Sequence, residues 1–178
     1  MEKIVWIIID LYDVVCEMLE FKNGLFEIDD YFLSTDFYAE IEKECSACYL
    51  HDRIGLFDGT NIMRRFVKFI SDKYGDNIIL IKSDVKTSYK SNDGKVMSLE
   101  LDEKLVRERN VFLREMESVF EFETNCYVID IARYYYADDI AHRSGGRIVH
   151  YEEAFYKKAG EYVTDILNGS KKRLYGST

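Results

Sequence analysis

Three short apolar runs constrain the fold more than any other feature of this chain. They are KIVWIIID (Lys3 to Asp10), NIILIKS (Asn77 to Ser83) and CYVIDI (Cys126 to Ile131). Runs this rich in β-branched residues are typical of strands that are covered on both faces in a parallel sheet. Because segments of helical period separate them, we predict an α/β fold, a three-layer α/β/α sandwich with a mainly parallel sheet.

The segments between and after these runs predict three amphipathic helices, which would form the outer layers. The first starts at a cap on Thr60 or Asn61 and ends at Gly75, the second starts at Asp102, and the third ends at Gly169. The apolar stripes predicted for them are, in order, Ile62, Phe66, Phe69 and Ile70; Leu105, Phe112, Leu113, Met116 and Phe120; and Phe155, Tyr162, Val163, Ile166 and Leu167.

Less regular segments lie after the first two strands. The Asn-Gly step in FKNGLFEID predicts a β-hairpin, and the Asp-Gly step at Asp93 predicts a turn in an excursion after the second strand. The segment STDFYAEIEKECSACYLHD predicts a helix capped by Ser34 or Thr35.

The same segment raises the question of a metal site. On a helix, Cys45, Cys48 and His51 would share one face. A structural zinc site needs a fourth ligand, however, and the sequence has no second ligand pair. We therefore expect buried thiols and no metal.

Length, charge and cysteine content exclude several classes of protein. A chain of 178 residues with 47% hydrophobic residues predicts one domain at residues 1–170, followed by a basic, solvated tail at 171–178. The net charge of −9 argues against nucleic acid as a partner. No apolar run reaches the length of about eighteen residues that a membrane span needs. Four cysteines without a disulfide pattern favour reduced thiols and the cytoplasm.

Polar residues that follow the predicted strands indicate a ligand site. In open parallel sheets, ligands bind outside the carboxyl ends of the strands. Asp10 and Tyr12 follow the first strand, Lys82 and Ser83 follow the second, and Tyr151 lies beyond the third. We predict that these five residues bind substrate. The sequence has no glycine-rich phosphate loop after the first strand, so we expect no nucleotide cofactor. It also lacks the GxSxG serine motif.

The segment DDIAHRSGGRIVHYEEAFY, which starts at Asp138, permits two interpretations. In the first, His150 leans over the sheet edge as a general base, with an acidic residue fixing its tautomer. In the second, Gly145 and Gly146 form a turn, His150 begins the last helix, and the glutamates after it complement the helix dipole. The residues alone leave both open.

The chain resembles a bacterial family of uncharacterised SGNH-hydrolase-like proteins that is associated with surface-polysaccharide genes. The likeness covers most of the chain and lies in the segments IIIDLYD, NIILIKS, RNVFLREME with Asn110, VIDI and, above all, AHRSGGRIVHYEEAFY. The family has a similar ending, in which His-x-x-Gly is followed by His-Tyr and acidic residues that lead into the last helix.

The resemblance implies an SGNH/flavodoxin-like fold and acyl-ester chemistry on carbohydrate, as an esterase or O-acyltransferase. His150 would then be the general base, with Asp138, Asp139 or His142 as its neighbour. The family's turn that carries the serine nucleophile is missing from this sequence. Three explanations stay open: the chain is a fragment, a partner chain or second copy completes the sheet edge, or the protein is an inactive member. The last makes a non-catalytic carbohydrate-binding or assembly module the alternative function.

Overall fold

The computed structural model describes residues 5–22, 24–27, 36–139, 150–170 and 172–176. Its strands are β1 (Ile7–Asp10), β2 (Glu17–Phe21), β3 (Gly24–Glu27), β4 (Cys45–Tyr49), β5 (Ile78–Ile81), β6 (Ser88–Lys90), β7 (Val96–Ser98), β8 (Tyr127–Ile129) and β9 (Leu174–Tyr175). Its α-helices are α1 (Asp36–Ile41), α2 (Leu50–Tyr74), α3 (Glu103–Glu123) and α4 (Glu153–Leu167). Short 3-10 turns lie at Tyr12–Val15, Glu42–Glu44 and Ala132–Tyr134.

The central sheet is parallel and has the strand order β1-β5-β8-β9 within the described residues. The three apolar runs form β1, β5 and β8, as predicted. Strand β9 comes from the segment that we interpreted as a solvated tail, and Tyr175 in it is buried. Gly176, directly after β9, lies against the backbone carbonyl of Asp130 with φ +129°.

Helices cover both faces of this sheet. Side chains alternate between faces along each strand, so Ile9 and Leu80 pack into the core under α2 and α3, whereas Ile79 and Ile129 pack with α4. This is the predicted three-layer arrangement. The expectation that β1 is covered on both faces is wrong, because β1 is an edge strand of the described sheet and Ile8 is 52% exposed.

The first predicted helix differs from the structure in its start and in its buried face. Helix α2 begins at Leu50, and Gly55, with φ +63°, kinks it. Its buried residues are Gly59, Met63, Val67 and Ile70, whereas Ile62, Phe66 and Phe69 of the predicted stripe are 46%, 41% and 62% exposed. The small Gly59 explains the shift. A Cβ there would lie 3.0 Å from the Phe112 ring, so this face of the helix is the one that can approach α3 closely.

The other two helices follow the prediction more closely. The Asp102 side chain accepts hydrogen bonds from the backbone N–H groups of Lys104 and Leu105 and caps α3. Leu105 is half-buried, and the rest of the α3 stripe is buried. In α4, Phe155 and Ile166 are buried, Tyr162 and Val163 pack at the edge of the same cluster, and Leu167 is exposed.

Strand β2 pairs antiparallel with β3, as the hairpin predicted for FKNGLFEID requires, and the Asp-Gly turn predicted at Asp93 lies between β6 and β7, which also pair antiparallel. The long helix predicted across the cysteines is wrong. In the described part of that segment, Asp36–Ile41 is α-helical and Leu50 begins α2, but Cys45–Tyr49 between them forms β4, which pairs with β2. Ser34 and Thr35, the predicted caps, lie outside the described residues.

Candidate functional site at the carboxyl edge of the sheet

The carboxyl ends of β1 and β5 bring Asp10 and Ser83 together. Asp10 ends β1 beside Ile81, and Ser83 follows Ile81 closely in the chain. The Ser83 hydroxyl donates a hydrogen bond of 2.9 Å to Asp10 Oδ1. The backbone N–H of Tyr12 donates to the same oxygen at 2.8 Å. Although Asp10 as a whole residue is exposed, this oxygen faces inward, and burial raises the pKa of the carboxyl.

Behind Ser83 lies Glu117, a carboxyl in the middle of α3 that is fully buried. Its Oε1 accepts a hydrogen bond of 2.9 Å from the backbone N–H of Ser83, and its Oε2 accepts one of 2.7 Å from Arg114. Burial raises the pKa of Glu117 to about 7 in spite of the Arg114 guanidinium. The carboxyl therefore changes its charge within the physiological pH range.

The loop after β5 continues this network through Asp84. Its carboxylate binds the Arg114 guanidinium and lies 3.3 Å from Lys86 Nζ. Lys86 also donates a hydrogen bond of 2.6 Å to the carbonyl of Ala132. Burial lowers the pKa of Lys86, although Asp84 opposes that shift. Asn110, which is part of the family resemblance, fixes the next residue, because its side chain bonds both the N–H and the carbonyl of Val85.

Tyr151 ties this loop to the start of α4. Its hydroxyl accepts a hydrogen bond of 2.6 Å from the backbone N–H of Asp84 and donates one of 2.8 Å to the carbonyl of the same residue. Its ring stacks on Phe155, with the centroids 4.1 Å apart. Burial raises the pKa of Tyr151, so the hydroxyl keeps its proton. Tyr151 is therefore a structural tie in addition to a predicted substrate contact.

His150 and Asp138 are neighbours through their backbones. The N–H of Asp138 donates a hydrogen bond of 2.8 Å to the carbonyl of His150, and the His150 residue is exposed. Burial raises the pKa of the nearby Tyr156, and the carboxylates of Asp138 and Asp10 raise it further. Asp139 is half-buried.

His142, predicted as a neighbour of His150, lies outside the described residues. Tyr12 is buried at the edge, and its hydroxyl has no hydrogen-bond partner within the described residues. Lys82 is bound by carboxylates, because its Nζ lies 2.5 Å from Glu121 Oε1 and 3.9 Å from Asp130 Oδ2. It is therefore less available to a ligand than predicted.

Sequence reasoning missed Glu117 and Arg114, neither of which was among the predicted site residues. A signal for Glu117 was present. It follows Leu113 by four residues and precedes Phe120 by three, so it lies on the apolar stripe of the helix. A charged residue at a buried position needs a partner, and Arg114 one turn away is the obvious one.

Cys45, Cys48 and His51 do not share one helix face, contrary to the prediction. Cys45 and Cys48 lie in a strand at an odd separation, so their side chains point to opposite faces, and His51 lies in α2. Among the described residues, no group of three or more His, Cys, Asp and Glu residues is arranged to hold a metal ion. None of the helices described is both long and apolar enough to span a membrane.

Comparison with protein-family models, with curated proteins and with solved structures found no significant match for this chain.

Proposed function

We propose that the carboxyl edge is the substrate site of an SGNH-like esterase or O-acyltransferase that acts on a bacterial surface glycan or its precursor. The observation that best supports this proposal is the pair of hydrogen bonds between Tyr151 and the backbone of Asp84. These bonds fix Tyr151, the residue that follows His150, to Asp84. Asp84 follows Ser83, whose hydroxyl bonds Asp10 at this edge. An anchored backbone with an exposed imidazole suits a general base, because the ring is positioned and can still reach a ligand.

In this proposal, neutral His150 accepts a proton from a hydroxyl as the oxygen of that hydroxyl attacks the acyl carbon. The tetrahedral adduct then releases the sugar alkoxide, which takes the proton from the imidazolium. Ser83 is fully buried and its hydroxyl donates to Asp10, so we do not assign it as the nucleophile. The attacking hydroxyl belongs to water in hydrolysis and to an acceptor sugar in acyl transfer.

The test is acetate release from p-nitrophenyl acetate and from an O-acetylated oligosaccharide. We expect His150→Ala to lower kcat/KM by about a hundredfold, the lower end of what general-base catalysis contributes. His51→Phe is the matched control, since His51 is buried elsewhere. Equal activity in His150→Ala and the control would rule out the role of His150.

A second function, a non-catalytic carbohydrate-binding or assembly module, is favoured by a different observation. Ser83 is buried, while Tyr134, Tyr136 and Tyr156 are 54%, 39% and 50% exposed. Tyr136 and Tyr156 contact the segment around Tyr151 through Glu152 N and Tyr151 N. Exposed aromatic rings can stack on sugar rings. Glycan binding that Tyr136→Ala weakens, without any acetate release, would select this function over the enzyme.

A further inference from the structure

A stripe of large apolar side chains lies exposed along α2. Ile62, Phe66 and Phe69 recur at intervals of four and three residues, so they lie on one side of the helix. All three are exposed, although this spacing is typical of a buried helix face. The Phe66 ring meets the edge of the buried Phe120 ring, so the stripe borders the core. Apolar side chains that extend the core outward in this way are suited to contact another protein surface.

The stripe lies on the flank of α2 that is turned away from α3. Arg64 of α2 forms an ion pair of 2.8 Å with Glu123 of α3. Ile62 precedes Arg64 by two residues and therefore lies about 160° around the helix from it. Both helices pack on the same face of the sheet, and α3 connects β5 to β8. In the strand order β1-β5-β8-β9, the side of α2 away from α3 is therefore the side of β1.

Strand β1 gives this flank a free sheet edge. It pairs with β5 on one side, and no strand among the described residues pairs with it on the other. The N–H of Ile7 bonds the carbonyl of Asn77 on the β5 side. Because successive N–H groups along a strand point to opposite sides, that of Ile8 is directed to the free edge. A free edge of this kind can accept another strand. The stripe and the edge thus form one uncovered flank.

Two charged residues extend the stripe with opposite signs at its two ends. Asp58 lies four residues before Ile62, and Lys73 lies four residues after Phe69, so both are on the side of the helix that carries the stripe. Both are exposed, and neither forms an ion pair within the part of the chain that the structure describes. The stripe therefore has an acidic end, an apolar middle and a basic end.

Such a stripe is complementary to a second copy of itself in the antiparallel direction. With a two-fold axis at the middle of the stripe, Asp58 of one copy lies opposite Lys73 of the second copy. Ile62 then lies opposite Phe69 on each side of the axis. The two pairs of opposite charge also offset part of the repulsion between chains of net charge −9. A parallel arrangement would instead bring like charges together.

From these observations, we propose that the protein forms a symmetric dimer through this flank. The α2 stripes of the two copies pack antiparallel, and the free edges of the two β1 strands meet beside them. In an isologous interface each contact occurs twice. The stripe, residues 58–73, is about 22 Å long and has fewer residues than the roughly 20–30 per side of a standard interface. We therefore expect a weak dimer, with a Kd in the micromolar range.

The test is sedimentation equilibrium of the whole chain over a concentration series. Phe69→Glu places one carboxylate from each copy in the apolar middle of the interface and should raise the Kd by about tenfold or more. Phe57→Glu is the matched control, because Phe57 is 78% exposed on the same helix. It lies about 120° around the helix from Phe69. The control should leave the Kd unchanged.

The charged ends test the antiparallel register separately. Asp58→Lys brings cations together at both ends of the interface and should weaken the dimer, whereas Asp58→Lys combined with Lys73→Asp should restore it. Both positions are exposed, so these changes leave the core intact. A double variant that dimerises no better than Asp58→Lys would overturn this register.

A chain that stays monomeric at about 1 mM, where even a complex with a Kd of that order is populated, would overturn the proposal. Equal weakening by Phe69→Glu and Phe57→Glu would overturn it too, because association would then reflect surface hydrophobicity in general. Amide exchange reports on the sheet edge: the Ile8 N–H should exchange more slowly as the chain concentration rises through the Kd. Unchanged exchange at Ile8 in a dimerising chain would overturn the placement of β1 at the interface.

Discussion

The carboxyl-edge network and the surroundings of His51, in the first turn of α2, differ in how their buried polar groups are bonded. At the edge, Glu117 is bonded by Ser83 and Arg114, and Asp84 by Arg114, Lys86 and Tyr151. Between Tyr49 and Phe112, both nitrogens of His51 lack hydrogen-bond partners among the described residues, although Nε2 lies 3.5 Å from Asp52 Oδ1. Satisfied hydrogen bonds fix geometry, whereas buried polar atoms without them lower the stability of the fold. The network at the edge therefore holds its exposed neighbours, such as His150, in place.

The largest expected effect comes from Glu117, because its burial links stability to pH. Its folded-state pKa is about 7, above its ordinary value of 4.5. The folded protein therefore binds this proton more tightly, and the resulting stability is fully present below pH 4.5 and lost as the pH rises through 7. The full change is on the order of 3 kcal/mol. Glu117→Gln should flatten this slope in urea unfolding measured across that window.

Glu115→Gln is the control for this comparison, because Glu115 is exposed on the same helix. It should leave the slope as it is. Burial raises the pKa of Asp10 as well, so a smaller slope of the same sign should persist in Glu117→Gln. An unchanged slope in Glu117→Gln would show that this carboxyl is ionised throughout the range.

The next effect tests how firmly the edge network is held. Tyr151→Phe removes both hydrogen bonds to the backbone of Asp84 and leaves that N–H and carbonyl without this partner. We expect a loss of about 1–3 kcal/mol in the free energy of unfolding. Tyr134→Phe, at an exposed tyrosine, should change stability by less than about 0.5 kcal/mol. Equal effects in the two variants would mean that the tie contributes nothing.

The smallest effect has the opposite sign and comes from His51. His51→Phe removes two ring nitrogens that bond nothing in the described structure and keeps the stacking between Tyr49 and Phe112. Thermal unfolding should show a gain of up to about 1 kcal/mol without ligand. A loss of stability would indicate that the ring nitrogens have partners, and it would remove the contrast between the two regions.

The parts of the fold that the sequence predicted are those with strong local signals. The runs that form β1, β5 and β8 are dense in β-branched residues, and Asp102 has the expected capping geometry. The errors arose where tertiary packing decided. The small Gly59 lets a face of α2 other than the predicted one pack closely against α3. Pairing with β2 makes Cys45–Tyr49 a strand. Strand β9 is too short to have a periodic signal.

The candidate site was predictable in part for a similar reason. Parallel strands place their carboxyl ends at one edge, so the meeting of Asp10 and Ser83 followed from topology. Glu117 and Arg114 come from α3, and the rotation of this helix depends on packing throughout the core. The signal available in the sequence was the position of Glu117 on the apolar stripe of α3.

The close approach of Gly176 to the Asp130 carbonyl has a consequence for sequence variation. A Cβ at this position would lie 1.8 Å from that oxygen, and backbone cannot yield in the way a flexible side chain can. Even alanine would have to lift the final strand from its neighbour and uncover Tyr175. Five residues at the margin of the chain, which look dispensable by composition, thus include one position that tolerates no other amino acid without local rearrangement.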